Sequence, residues 1–182
     1  MSQSSETVIS IPKPTLTLSG YRAYLFQVAL IAAAVALPVV AHLLGAPVRY
    51  ILPMHWPVIL AGLVYGWRSG ALTGFFAPVV SYIISGYPLP HIIPSMTVEL
   101  LAYGMVAGLL RERFHYNAIA STAIALAIGR IIFILSIFIL NPIGTGYMQY
   151  FQVALLPGLI AAVCQIAFLP FVARWWVNKE RR

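Results

Sequence analysis

Residues 117–140 read NAIASTAIALAIGRIIFILSIFIL, an apolar run with one charged side chain, Arg130. A membrane-spanning helix needs about 20 mostly apolar residues. A chain inside lipid must also satisfy its own backbone hydrogen bonds, and a helix does this within one segment. The stretch therefore predicts a transmembrane α-helix.

Five further stretches have the same character, although three of them are short and contain Pro or Gly. Taken in order as segments one to six, the predicted spans are residues 22–44, 50–67, 69–85, 94–110, 117–140 and 150–177. Because the connectors are short, we expect an all-α membrane protein with six transmembrane helices in one compact bundle. This domain covers residues 22–177, between an N-terminal tail, residues 1–21, and a basic C-terminal tail, residues 178–182.

The composition supports a lipid environment. Of 182 residues, 61% are hydrophobic and only 8% are charged, whereas a soluble domain carries about 25% charged residues. Apart from Glu99 and Arg130, the charged side chains sit almost entirely at the predicted helix ends, which favours a topology signal over a nucleic-acid surface as the reason for the net charge of +7. We therefore expect contact with membrane lipid and no nucleic-acid partner.

Lysine and arginine placement predicts the orientation. Nine of the 11 Lys and Arg residues lie on the same side of the membrane as the N-terminus in this topology, and only Arg49 lies in a loop on the opposite side. Cytoplasmic loops carry such an excess of positive charge. Both termini are therefore predicted to be cytoplasmic, in a multi-pass protein of the cell membrane.

Glycine recurs every four residues at Gly62, Gly66, Gly70 and Gly74, and small residues at this spacing let helices approach closely. We expect this series to mark helix packing inside the bundle. The lone cysteine, Cys164, cannot form an internal disulfide.

Polar side chains concentrate in the outer half of the predicted bundle. Glu99 lies about 7 Å below the outer end of segment four, and Arg130 about 15 Å below that of segment five, at 1.5 Å per residue. Because polar groups in lipid are costly, they are candidates for function. Their concentration in the outer half predicts a polar cavity that opens outward and is closed below. The predicted substrate-binding residues are Glu99, Arg130, Tyr103, Asn141, Gln152, His55 and Tyr82.

The acid and the base leave three interpretations open. Glu99 and Arg130 could neutralise each other as a buried pair, bind a ligand, or contact another subunit. As a ligand site, Arg130 favours a carboxylate or phosphate. Glu99 suits an amine or a ring N–H.

Besides a protein that binds a small ligand, the sequence leaves open a membrane-embedded enzyme in which His55, His91 and Glu99 hold a metal. Their spacing does not match HExxH, and the chain has no GxSxG motif and no aspartate. A GxxxxGK phosphate loop is also absent, so the protein itself is not expected to hydrolyse ATP, and uphill transport would take its energy from a partner or an ion gradient. We expect no cofactor and no metal. The third possible function is that of a structural or assembly subunit that binds no small ligand.

Two local runs resemble the substrate-binding S components of energy-coupling factor (ECF) transporters, the vitamin-specific membrane subunits. The first is LPMHWPVILAG at residues 52–62, followed by YGWRSGALTG at residues 65–74; the second is ELLAYGMVAGL at residues 99–109. With the size and the basic C-terminus, the resemblance covers residues 22–174.

The resemblance implies a high-affinity binder of a vitamin or related micronutrient. Within that class, Arg130 favours acids such as pantothenate, biotin or lipoate, whereas Glu99 suits an amine-bearing or purine-like ring, such as a queuosine precursor. It places the site in the outer half between helices four, five and six, covered by the loop at residues 45–53. It also implies a scaffold subunit that couples to two ATPases and docks on small residues of the first helix at AxxxA spacing. The matching alanines are Ala29, Ala33, Ala32 and Ala36, and a third alanine is missing because Leu37 and Val40 occupy those positions.

Overall fold

The computed structural model describes residues 14–140 and 147–182, and the side chains of residues 14–139 and 157–182. This part of the chain is helical and contains no strand. The helices are α1 (Tyr21–Leu43), α2 (Val48–Ile51), α3 (His55–Tyr65), α4 (Trp67–Ser85), α5 (Ile93–Glu112), α6 (Ala118–Leu140) and α7 (Tyr147–Glu180).

The helical bundle has two ends. We call the end where α1 and α4 finish and α5 begins the distal end, which is the side predicted to face outward. The opposite end, where α1 begins and α7 finishes, is the proximal end. The α5 helix lies inside the bundle, because it packs against α3, α4 and α6.

Five stretches are long and apolar enough to cross a membrane: Tyr21–Leu43, Val48–Tyr65, Ile93–Glu112, Ala118–Ile139 and Pro157–Glu180. The third predicted span corresponds to α4, which has 19 residues but is not among the five. Arg68 and several serines and glycines lower its hydropathy. The multi-span prediction holds, and the sixth span stays a prediction.

Large apolar side chains cover the outside of the bundle. Ile83 on α4 is 74% exposed, and Ile131 on α6 and Phe171 on α7 are also exposed. A water-soluble protein rarely leaves so many large apolar groups open to solvent. These faces are therefore suited to contact lipid.

The turn between α3 and α4 consists of Gly66 alone. Its φ of 84° lies in the left-handed region that favours glycine. The first N–H of α4, at Trp67, donates to Glu112 Oε2 at 3.2 Å. This contact supplies an acceptor at a helix start, where backbone donors have no partner inside the helix, and joins the turn to the end of α5.

The second predicted span is interrupted near the distal end. Leu52 has a φ of 47°, so α2 finishes after one turn and α3 begins at His55. Trp56 Nε1 donates to the carbonyl of Ile51 at 2.8 Å, which ties the two pieces together. The predicted covering loop, residues 45–53, thus contains a helical turn, and this turn packs against α7.

Glycines set the distance between α3, α4 and α5. A Cβ added to Gly70 or Gly104 would collide with the backbone of the other glycine, and one at Gly62 would collide with the Gly104 carbonyl. Gly74 similarly meets the backbone of Leu100. The predicted close packing is therefore observed, with α5 as the common partner.

The described residues of both predicted tails contact or extend the helical bundle. The N–H of Leu16 donates to the carbonyl of Val64 at 2.7 Å, and Arg111 Nη2 donates to the carbonyl of Pro14 at 2.7 Å. The last residues of the predicted N-terminal tail therefore pack on the proximal end. The α7 helix continues to Glu180, through most of the predicted C-terminal tail.

Adding a methyl group at Gly104 tests the backbone contact between α4 and α5. We expect Gly104→Ala to lower the free energy of unfolding by about 1–3 kcal/mol, because overpacking forces backbones apart. Thermal unfolding of the purified protein in detergent measures the loss. Ala127→Val adds volume to an exposed position on α6 and should change little. Equal stability of the two variants would contradict the assigned contact.

Candidate functional site

A buried carboxylate lies near the distal end of α5. Glu99 is 3% exposed, and its Oε1 accepts a hydrogen bond from the hydroxyl of Tyr103 at 2.7 Å. The two residues are one helical turn apart and therefore share a face. Since an ionised carboxylate is costly to bury without partners, the neighbours of Glu99 determine what this position can do.

The main charged neighbour comes from α6. Arg130 Nη1 lies 3.2 Å from Glu99 Oε1, within ion-pair distance. The side chain of Glu99 is 4% exposed and that of Arg130 is 23% exposed. The two predicted residues thus neutralise each other, while the guanidinium keeps part of its surface accessible.

A histidine completes the group at the start of α3. His55 is 3% exposed, its Nε2 lies 3.9 Å from Glu99 Oε1, and its ring centroid lies 5.3 Å from that of Tyr103. His55 Nδ1 is buried and has no hydrogen-bond partner within the described residues. We call Glu99, Tyr103, Arg130 and His55 the acid cluster.

Two glycines make room for the cluster. A Cβ at Gly129 would collide with the ring of Tyr103, and a Cβ at Gly158 on α7 would lie 2.5 Å from Arg130 Nη2. The sequence reasoning did not identify either glycine. Gly129 immediately precedes Arg130, the only charged residue of its span, and this neighbourhood is the sequence feature that could have identified Gly129.

A cavity of about 680 Å³ lies beside His55 at the distal end. It is bounded by the end of α1, by α2, by the start of α3, and by α4, α5 and the connection between them. Its volume falls within the range of about 300–1,000 Å³ that is usual for small-molecule sites. Glu99, Tyr103 and Arg130 do not line it, so His55 is the member of the acid cluster that connects to this space.

The remaining predicted residues are placed differently. Tyr82 on α4 is 38% exposed and does not line this cavity. Asn141 lies outside the described residues, and Gln152 belongs to the part of α7 whose side chains are not described. Their predicted contribution to the site remains a prediction.

The metal alternative involved His55, His91 and Glu99. His91 is exposed in the connection before α5, whereas the other two are buried. Among residues 14–140 and 147–182, no group of three His, Cys, Asp or Glu side chains could hold a metal ion.

A second polar group lies between α1 and α4, nearer the proximal end. Gln27 Nε2 donates to Thr73 Oγ1 at 2.8 Å, and the hydroxyl of Ser69 donates to Gln27 Oε1. Because buried polar groups stabilise a fold when their hydrogen bonds are made, this group is explained by packing of α1 on α4.

The predicted docking alanines lie on the outside of α1. Ala29, Ala32 and Ala36 are exposed, and Ala33 is half-buried. Ala32 and Ala36 also line a groove of about 520 Å³ between α1 and α4, whose wall is formed by valine and isoleucine. The α1 face is therefore small, apolar and accessible.

Comparison with known proteins decides the family. The model of the family described as ECF transporter, substrate-specific component, matches residues 26–173. The chain belongs to this family. No curated protein and no solved structure matched the chain.

The resemblance seen in the sequence is thereby confirmed at the level of the family. An S component is a multi-pass protein of the cell membrane that acts in transport. The family is a substrate-binding transporter component, which is consistent with a protein that is not an enzyme.

Removing the charge of Arg130 should destabilise the protein, and removing the charge of Glu99 as well should restore most of the stability. Arg130→Met leaves the buried Glu99 carboxylate without its charged partner and should cost about 2–3 kcal/mol of unfolding free energy. Adding Glu99→Gln should recover most of this loss, since the amide oxygen can still accept from Tyr103. Thermal unfolding of the wild type, the two single variants and the double variant measures the coupling free energy between Glu99 and Arg130. Additive effects of the two substitutions would contradict the ion pair.

Proposed function

We propose that this S component captures a small, micronutrient-like molecule from outside the cell and delivers it to the cytoplasm together with an ATPase module. In this proposal the protein spans the membrane six times, with both termini inside and the distal end outside. The acid cluster then lies in the outer half, near the surface from which substrate arrives.

The observation that carries the proposal is the unequal exposure of Glu99 and Arg130. Glu99 is almost fully enclosed, and its Oε1 is already approached by Tyr103, Arg130 and His55. Arg130 keeps 23% of its side chain exposed. An arginine has five N–H donors, so it can hold Glu99 and a further anion together.

This asymmetry favours an anionic substrate over an amine. A carboxylate or phosphate accepts two parallel N–H bonds from a guanidinium. An amine would have to reach Glu99, which the surrounding side chains enclose. We therefore propose an organic acid as the substrate, among the alternatives that the sequence left open.

The exposed face of α1 supports a docking role. Helices associate closely in membranes where small residues let the backbones approach, because dispersion contacts then form over a long surface. Ala29, Ala32, Ala33 and Ala36 provide such a surface, open to lipid in the isolated chain. We propose that the scaffold subunit, which couples to two ATPases, binds here.

An assembly subunit without a ligand is the competing function, and the Glu99–Arg130 pair is the observation in its favour. A buried pair needs no ligand for neutralisation. The two functions differ in a measurable way, because a ligand that binds the folded protein raises its melting temperature by mass action.

Removing the guanidinium tests substrate binding. The small molecules that co-purify with the wild-type protein are identified by mass spectrometry, and their affinity is then measured by calorimetry. Arg130→Ala should weaken binding about 10- to 150-fold, because a hydrogen bond to a charged group contributes about 1.5–3 kcal/mol. Arg68→Ala, an exposed arginine at the proximal end, should leave the affinity unchanged.

The Arg130 variant also removes the partner of Glu99, so Arg130→Lys provides a second arm. It keeps the positive charge but loses the forked geometry, and we expect an intermediate affinity. Wild-type affinity in both Arg130 variants would exclude Arg130 from the site. A wild-type protein that retains no molecule and gains no stability from any would favour the assembly function.

A bulky side chain on α1 tests docking. Ala29→Trp or Ala33→Trp should abolish substrate uptake by the assembled transporter while leaving substrate affinity intact, because the indole keeps the partner helix away. Ile160→Trp places the same group on an exposed position of α7 and should transport normally. Uptake that survives both alanine substitutions would show that the scaffold docks elsewhere.

A further inference from the structure

Three arginines converge at the proximal end, opposite the acid cluster. Arg111, at the end of α5, donates from Nη2 to the carbonyl of Pro14 at 2.7 Å. Arg181 Nη2 lies 3.5 Å from the carbonyl of the next residue, Thr15. Arg174 lies seven residues before Arg181, about two helical turns earlier. Arg174 and Arg181 are both close enough for their charges to act on that of Arg111. We call Arg111, Arg174 and Arg181 the arginine group.

The positive charge of Arg111 is buried and has no negative partner. Arg111 is 6% exposed, and its Nε has no hydrogen-bond partner within the described residues. Among residues 14–139 and 157–182, no carboxylate forms an ion pair with it. Glu112, the next residue along, accepts from the N–H of Trp67 instead. Because a buried cation is costly when it is unpaired and has like charges beside it, this end of the bundle favours an anion nearby.

The arginine group lies at the level of the lipid headgroups. Arg174 and Arg181 are exposed. Trp175, next to Arg174, is 57% exposed, and the ammonium of Lys179 lies 5.0 Å from the centroid of its ring. Tryptophan and basic residues together are typical of the boundary between membrane and water. An anion that reaches the exposed arginines from the side of the bundle is therefore a lipid headgroup.

We propose that the arginine group binds the phosphate of an anionic membrane lipid. A guanidinium holds phosphate oxygens through two parallel N–H bonds, and the accessible arginines, Arg174 and Arg181, make these contacts. Arg111 is enclosed and contributes its charge without touching the lipid. Basic groups between helices at the cytoplasmic side of membrane proteins bind such headgroups. The site is independent of Arg130, and only the choice of the cytoplasmic leaflet rests on the proposed orientation.

Titration of the purified, delipidated protein in dodecyl maltoside tests the site. The three probes are dioleoyl phosphatidylglycerol, which is anionic, dioleoyl phosphatidylcholine, which has no net charge, and inorganic phosphate. Binding is followed by the rise in melting temperature, because a molecule that binds the folded state raises it by mass action. The inorganic phosphate distinguishes a free anion from a lipid headgroup as the ligand.

The arginine group predicts a preference for the anionic lipid. Phosphatidylglycerol should bind the wild type at least about tenfold more tightly than phosphatidylcholine does, since hydrogen bonds between charged groups are among the strongest in proteins. Arg174→Gln combined with Arg181→Gln should remove this preference. Arg68→Gln combined with Arg113→Gln removes the same number of exposed charges from the same end and should leave the preference unchanged.

Four results would overturn the site. They are equal binding of the two lipids by the wild type, an equal loss of preference in the two double variants, a full stabilisation by inorganic phosphate to which the lipid adds nothing, and wild-type lipid affinity in the Arg174 and Arg181 double variant. If that last variant also failed to assemble with the scaffold subunit, the arginine group would be a protein contact instead. Substrate affinity that does not change in the Arg130 variants removes the proposed substrate site without altering the lipid preference.

Discussion

The burial of one carboxylate constrains the interior of this S component. Glu99 is enclosed near the distal end, and a charge in that position needs donors from its surroundings. The donors are Tyr103 from α5 itself and Arg130 from α6, and His55 at the start of α3 lies 3.9 Å away. The relative positions of these helices are therefore part of the site, and any shift among them changes the charge balance around Glu99.

Close helix contact provides those positions. Gly70 and Gly104 hold α4 against α5 through their backbones, and Gly129 leaves space for the Tyr103 ring that donates to Glu99. In a helix of a water-soluble protein, glycine lowers the stability of the helix. In lipid they permit dispersion contacts that substitute for the hydrophobic effect. Packing and chemistry thus depend on the same small residues.

Much of this arrangement is predictable from sequence, for physical reasons. Spans such as residues 117–140 are recognisable because lipid demands long apolar helices, and Glu99 and Arg130 are conspicuous because charges there are rare. The helical turn α2 and the packed segment at Pro14 were not predicted, since both depend on individual contacts that the sequence pattern does not reveal, such as Trp56 with Ile51 and Leu16 with Val64. A polar cavity that opens outward was predicted from the side chains of the outer half, but the position of the observed cavity, at the end of α1 and beside α2, was not, because it lies between elements that are distant in sequence.

We propose that Arg130, held by Glu99, presents its remaining donors to an acidic substrate. An experimental structure of the protein with its co-purified molecule in place would test this role. We expect an acidic group of that molecule within hydrogen-bond distance of the Arg130 guanidinium, with Glu99 still bonded to Tyr103. A bound molecule that leaves Arg130 facing Glu99 alone, or that contacts Glu99 through an amine, would rule this role out.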